Sequence, residues 1–302
     1  HQLKDPSRVL KVGADEFPGI KILATGSSTL EASKKFKDTL TGIKCRIHLL
    51  PVLWDELPAF GATLHKRLLH GGLPPALLAG VKRPSLYREW ADSFFSRDIQ
   101  KLFGFRDYDK FNLLFEYLMK QSGGLLETAK ASRTLDISRA TISSHLRAME
   151  ITHAITLLRP FHGSSQRELV KMPKIFGFDT GFVSFFKGWD TLRSEDYGQL
   201  WEHFVLEGLQ ATHPDDRIHY WRDAYGREVD FVIPRSRGHA DALECKWDPA
   251  HFEPDGLAAF REIYPKGSNL LVCPSVPHPY KKIIKGLELF VCAPSDIHLS
   301  GS

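Results

Sequence analysis

The chain has 302 residues, 42% of them hydrophobic and 25% charged, with a formal net charge of +4. That composition describes a globular protein with room for two or three domains and excludes a low-complexity chain. The mild basicity admits nucleic acid as a partner without requiring it.

No stretch approaches the roughly 20 apolar residues of a membrane helix, and the polar first residues do not read as a signal peptide. Cys45, Cys245, Cys273 and Cys292 lie far apart and form no CxxC pair, so zinc is not expected. The last three sit in apolar runs, as buried strand residues of a reducing, cytoplasmic compartment would. Residues 20–25 form an apolar run ending in Gly26-Ser27-Ser28, which predicts a buried strand and a turn, of the kind found in parallel sheets. Residues 28–40 are expected to be helical and 45–50 to form another strand. After Pro51, the spacing of Val52, Leu53 and Leu57 is helical. Residues 61–122, rich in Leu, Phe, Arg and Lys, predict an all-helical region interrupted by the loop Gly71 to Pro75.

Leu125–Leu135 and Arg139–Ile151 read as two helices joined by Asp136-Ile137-Ser138, with Ser138 as the second helix's N-cap. Ile142, Leu146 and Met149 share one face, while Thr141, Ser144, His145 and Arg147 are assigned to others. Two β-like runs follow, Ala154–Pro160 and Lys174–Phe178. Helix, turn, helix and hairpin make the order of a winged helix. Arg139, His145 and Arg147 are then candidate nucleic-acid contacts, with Ser144 near base edges if the helix enters the major groove. The alternative use of such a module is packing against another domain or a partner protein.

From residue 195 helices and strands alternate, which marks a separate α/β domain. Helices are predicted at Tyr197–Thr212 and Gly256–Tyr264. Strands are predicted at Ile218–Arg222, Glu228–Pro234, Ala240–Trp247, Leu270–Cys273 and Leu289–Ala293. Asp230 and Glu244 can lie side by side on adjacent antiparallel strands, and Lys246 points to the same face as Glu244. Two carboxylates and a lysine suit a divalent cation such as Mg²⁺, with the lysine orienting or deprotonating a water. Glu202, on the preceding helix, could add a third carboxylate. The structural alternatives are a surface ion pair between Glu244 and Lys246, or a degenerate site that only holds the fold.

This constellation resembles the PD-(D/E)XK nuclease superfamily, which implies catalytic roles for Asp230, Glu244 and Lys246 and metal binding by Asp230, Glu244 and Glu202. No Pro precedes Asp230, and Glu228 stands in that neighbourhood. A wider ordered set of pieces resembles prokaryotic AAA-type ATPases with a nuclease-like C-terminal domain of unknown function. The pieces are Leu23–Ser28, Leu49–Leu53 with Glu56, Gly71–Pro74, Arg97–Ile99, Pro173–Gly181, Glu202–Val205, Tyr220–Arg222 and Glu228–Phe231.

The resemblance implies a multi-domain α/β chain: a remnant of a P-loop AAA core (1–60), a helical lid-like region (61–122), a winged helix (123–182) and a restriction-endonuclease-like domain (195–302). It makes Ser27 or Ser28 a γ-phosphate sensor, an N-cap being the alternative reading. Where the family often carries an arginine finger this chain has Ile43, with Lys44 and Arg46 nearby. No GxxxxGK[ST] occurs, so ATP is expected only in an intact parent protein and the chain itself is not expected to hydrolyse it. Expected partners are DNA, another protein or further copies of the chain, and no membrane.

Overall fold

The computed structural model describes residues 6–17, 19–25, 47–162, 172–214, 216–236 and 238–297. The first elements in chain order are α1 (Pro6–Glu16), α2 (Leu64–His70), α3 (Pro74–Leu77), α4 (Pro84–Phe94), α5 (Gln100–Phe103), α6 (Tyr108–Lys120), α7 (Thr128–Leu135) and α8 (Arg139–Ile151). They are followed by β1 (Ile155–Leu158), β2 (Lys174–Gly177), α9 (Thr180–Phe186), α10 (Ser194–Thr212), β3 (His219–Arg222), β4 (Glu228–Ser236) and β5 (His239–Cys245). The last are α11 (Asp255–Ile263), β6 (Asn269–Val272), β7 (Tyr280–Ile284) and β8 (Leu287–Cys292). Two compact units form: His1–Leu49 with Tyr87–Leu114 and Thr128–Ile155, and Leu50–Leu86 with Phe115–Glu127 and Thr156–Ser302.

The described elements of the first unit are mostly helical. Ser138 caps α8 as expected, its hydroxyl accepting a hydrogen bond from the Thr141 amide at 3.1 Å. Ile142, Leu146 and Met149 are buried along one stripe. A π-turn at Phe95–Ile99 links α4 to α5. It turns Phe95 onto Tyr108 and Phe111, with ring centroids at 5.1 and 5.2 Å.

The strands expected at 20–25 and 45–50 do not form where the chain is described. Residues 20–25 and 47–50 are irregular, and Leu23 and Leu49 are exposed. A strand needs a neighbour for its amides and carbonyls. Among the described residues none pairs with either run, so apolar composition alone does not make a strand there.

The second unit is built on a six-stranded mixed sheet of order β3-β4-β5-β6-β8-β7. β3, β4 and β5 are antiparallel, β5, β6 and β8 are parallel, and β7 returns antiparallel on β8. The two-residue period divides the central strands between two cores. Phe231, Ile233, Leu243, Leu270 and Val272 pack with Leu200, Trp201 and Phe204 of α10. Val232, Ala240, Ala242, Leu271 and Val291 pack with Leu257 and Phe260 of α11. The Trp201 indole donates to the Val272 carbonyl at 2.9 Å, which ties α10 to the middle of the sheet. Cys245, Cys273 and Cys292 are buried and unbridged, as their apolar surroundings predict.

A buried ionic network fastens the helices of this unit together. Arg67 of α2 has no exposed surface. Its guanidinium pairs with Glu207 of α10 and donates to the Thr180 hydroxyl at 2.8 Å and to the Val52 carbonyl at 2.6 Å. Asp179 stands 3.9 Å from it. Asp179 also accepts from the Gly72 amide at 2.6 Å and from the Gly181 amide at 2.8 Å, capping α9. The approach is close enough to require glycine twice. A Cβ on Gly71, whose φ is +82°, would lie 1.9 Å from an Asp179 carboxylate oxygen, and one on Gly181 would lie 2.3 Å from the His70 carbonyl oxygen.

Removing the only guanidinium in this network would strand two buried carboxyls. Arg67→Met should therefore destabilise the chain by about 3–5 kcal/mol in chemical denaturation, and Glu207→Gln, which keeps a hydrogen-bonding group, by clearly less. Equal losses would show that the Arg67–Glu207 pairing is not what holds α2 to α10.

Candidate functional site

The β4–β5 register pairs Phe231 with Leu243. One step further along, Asp230 and Glu244 face each other, as the sequence predicts. Asp230 accepts a hydrogen bond from the Cys245 amide at 2.8 Å, which fixes its carboxylate across the strand pair. The Lys246 ammonium lies 3.1 Å from Glu244 and 3.7 Å from Asp230. Glu202, from α10, belongs to the same group, so the structure brings together all four of the residues singled out for this site.

The sequence reading missed the cluster's other ammonium. Lys174 of β2 is buried, lies 2.8 Å from Glu202 and also pairs with Glu228. Its strand is held by backbone bonds to residues 123–126: the Ile175 amide donates to the Gly124 carbonyl at 2.9 Å, and the Leu126 amide to the Pro173 carbonyl at 2.8 Å. The Lys174 ammonium sits 5.7 Å from the centroid of the Tyr220 ring. Arg222 reaches Glu228 from the rim at 3.1 Å.

Burial is the largest influence on Glu202, Glu244, Lys174, Lys246 and Cys245. It pushes the Glu202 carboxyl up to about 7, with Lys174 opposing and Asp230 reinforcing the rise. It pushes Glu244 up to about 8, with Asp230 reinforcing and Lys246 opposing. Burial pulls both lysines down but is outweighed, so both stand above the ordinary lysine value. For Lys174 the opposing carboxylates are Glu202, Asp230 and Glu228; for Lys246 they are Asp230 and Glu244. The Cys245 thiol is held well above its usual value, first by burial and then by Asp230, and stays protonated at neutral pH.

Hard carboxylate oxygens are the right chemistry for Mg²⁺. The observed arrangement does not fit such an ion, because the oxygens are engaged by Lys174, Lys246 and a backbone amide. Among the described residues no three acidic, His or Cys side chains gather in a group that could hold a metal.

The other predicted sites fare differently. Arg139 and Arg147 are exposed on α8, as is Ser144. His145 must be withdrawn from the set of nucleic-acid contacts. It is 4% exposed, with its ring 4.6 Å from that of Phe105 and 5.4 Å from that of Phe111. Burial lowers its pKa, so it is a neutral core residue. Ser27, Ser28, Ile43, Lys44 and Arg46 lie outside the described residues. Arg97 lies in the π-turn and lines an open cavity of about 580 Å³ with Asp92, Ser93, Phe95, Ser96 and Tyr108. No described helix is long and apolar enough to cross a membrane.

Comparison with known proteins divides the chain in two. Residues 61–193 match Domain of unknown function (DUF8612), and residues 197–285 match Domain of unknown function (DUF4143). Two proteins described as uncharacterized, from Mycobacterium tuberculosis (strain H37Rv) and Mycobacterium bovis, are each 27% identical over 235 residues. The alignment covers 75% of this chain and 52% of theirs, so the chain spans about half the length of these relatives. One solved structure aligns at 14% identity over 68% of this chain and 55% of its own, with a TM-score of 0.28: a half-complex from a tetradecameric assembly of Thermococcus gammatolerans McrB AAA+ hexamers with bound McrC. At that score the alignment does not define a shared fold.

The raised carboxyls set a pH dependence. Each starts from an ordinary value of 4.5, and its folded value is higher. The stability they contribute is therefore complete below about pH 4.5 and is lost as pH rises through about 7 and about 8. Glu207, also raised by burial to about 8, acts in the same direction. Both lysines stay charged throughout this window and add no slope. The urea midpoint of the wild type relative to that of Glu244→Gln should fall between about pH 5 and about pH 9, the buried His203, whose pKa burial lowers to about 3, acting in the opposite sense in both proteins. A difference that rises over this interval would contradict the assignment.

Proposed function

We propose that the chain is part of an AAA-related, ATP-binding protein and does not itself hydrolyse ATP. In this reading its C-terminal domain, residues 195–302, is a PD-(D/E)XK-like module that works by binding nucleic acid or a partner protein. The AAA assignment is supported by the ordered sequence pieces from Leu23 to Phe231 and by the domain match over 197–285. The observation that carries the site reading is the assembly of Asp230 and Glu244 on neighbouring strands, with Lys246 just past the end of β5 and Glu202 beside them, each carboxylate already bonded inside the protein.

Cleavage of a phosphodiester needs carboxylate oxygens free to hold a metal and a water to be activated. Here the countercharges are supplied internally, which favours a binding module in the resting state. For nucleic acid, the surface this reading uses is the exposed pair Arg139 and Arg147 on the capped helix α8. Phosphate contacts by such arginines give affinity without sequence readout. A Mg²⁺-dependent nuclease using Asp230, Glu244 and Lys246 is the alternative, and it too would act on a phosphodiester backbone.

Both readings meet in one set of assays. The chain should leave plasmid and single-stranded DNA intact in Mg²⁺ and in Mn²⁺, and should release no phosphate from ATP. It should bind duplex DNA in a salt-dependent way, and Arg139→Ala with Arg147→Ala should lower the salt slope by about 2. Cleavage that disappears in both Asp230→Ala and Lys246→Ala would establish the nuclease instead. If the chain neither cleaves nor binds DNA, the partner-protein role remains and the nucleic-acid one falls.

A further inference from the structure

We propose that the Glu207 carboxyl carries a buried proton and donates it to His203, and that this proton latches α2 and α9 to α10. Counting charges shows the need for it. Arg67 is one cation, and Glu207 and Asp179, both buried with it, are two acids. With both ionised the network would keep an uncompensated negative charge in the core, a cost that a buried acid avoids by taking up a proton. The titratable groups that face Glu207 are Arg67 from α2, Asp179 from the turn before α9 and His203 from α10 itself. The rings of Phe176 and Phe204 stand against His203 and Arg67.

The geometry puts the proton on Glu207. Burial raises the Asp179 carboxyl too, but Arg67 and the amides of Gly72, Gly181 and Phe182 oppose the rise by holding its charged form. Glu207 is held differently: Oε2 is taken by Arg67, while Oε1 has no hydrogen-bond partner among the described residues. Oε1 lies 3.4 Å from Nε2 of His203, one turn back on the same helix, and that nitrogen is unpartnered too. A carboxyl O–H turned toward the imidazole satisfies both atoms. A ring N–H turned toward a carboxylate would also do so, but it leaves the surplus charge in place. Burial favours the first arrangement: it raises Glu207 to about 8 against the opposing charge of Arg67, and with the help of Arg67 it lowers His203 to about 3. The latch acts on the helix that also carries Glu202 to the candidate site.

The test compares the full chain with its Glu207→Gln variant, whose amide keeps both contacts without a titratable proton. At about pH 6 the infrared difference spectrum, wild type minus variant, should show the C=O band of a protonated carboxyl, and that band should be lost as pH rises through about 8. The buried acids Glu202 and Glu244 are common to both proteins and cancel. Nitrogen-15 NMR of the wild type should show a neutral His203 with its proton on Nδ1. Amides of α2 and α9 should exchange with solvent at equal rates in the two proteins below about pH 7, and faster in the wild type above about pH 8. A difference spectrum without the carboxyl band, or a His203 proton on Nε2, overturns the donated proton. Equal exchange at every pH overturns the latch. If Glu207→Gln does not fold, the wild-type NMR decides alone: a proton on Nδ1 supports the inference, and one on Nε2 or a charged ring refutes it.

Discussion

The second unit depends on a buried guanidinium. Arg67 cannot give up its charge, and with no exposed surface it cannot be solvated by water. Every group around it is accordingly fixed: Glu207 and Asp179 supply carboxyl groups, Thr180 and the Val52 carbonyl supply acceptors, and glycines at 71 and 181 let the backbones close in. Such a network is costly to bury and pays off mainly in geometry. It joins α2 and the segment entering α9 to the long helix α10, which in turn carries Glu202 and rests on the sheet through Trp201. The network also crosses the boundary between the two matched regions. Arg67, Asp179 and Thr180 lie within 61–193, whereas Glu207 lies within 197–285. The two stretches are distinct as sequence and share one core as structure.

Much of the sheet and of the candidate site is legible from local signals. The strands β3 to β6 and β8 are marked by apolar runs between turn residues, and the pairing of Asp230 with Glu244 follows once two adjacent strands form a hairpin. Ser138 announces α8 because a hydroxyl before an apolar stripe has one common use. β7 is hidden: Tyr280, Lys281 and Lys282 are exposed, so this edge strand has no buried face to impose alternation. Residues 20–25 and 47–50 show the converse, apolar runs without a described partner strand.

His145 illustrates a signal that was present and outweighed. It is three residues after Ile142 and one before Leu146, so helical spacing places it beside the buried stripe, and Phe105 and Phe111 complete its surroundings. A titratable side chain on an amphipathic helix is not thereby a surface one. Lys174 had no comparable signal. Its partners Glu202 and Glu228 are distant in the chain and come from different elements, so only tertiary structure reveals that Lys174 joins them in one charge cluster.

The molecule thus pairs buried acids with a cation twice, and the two cations are of different kinds. Around Arg67 the cation is a rigid fork whose donors are spent on particular acceptors; exchanging it for anything else would break hydrogen bonds as well as a charge pair. Around Lys174 the cation is a point charge at the end of a flexible stem, and its partners are carboxylates from two different elements, Glu202 of α10 and Glu228 of β4. The first cluster can only hold the fold. The second lies beside Asp230, Glu244 and Lys246, and its lysine comes from β2, which pairs with β1 and not with the six-stranded sheet.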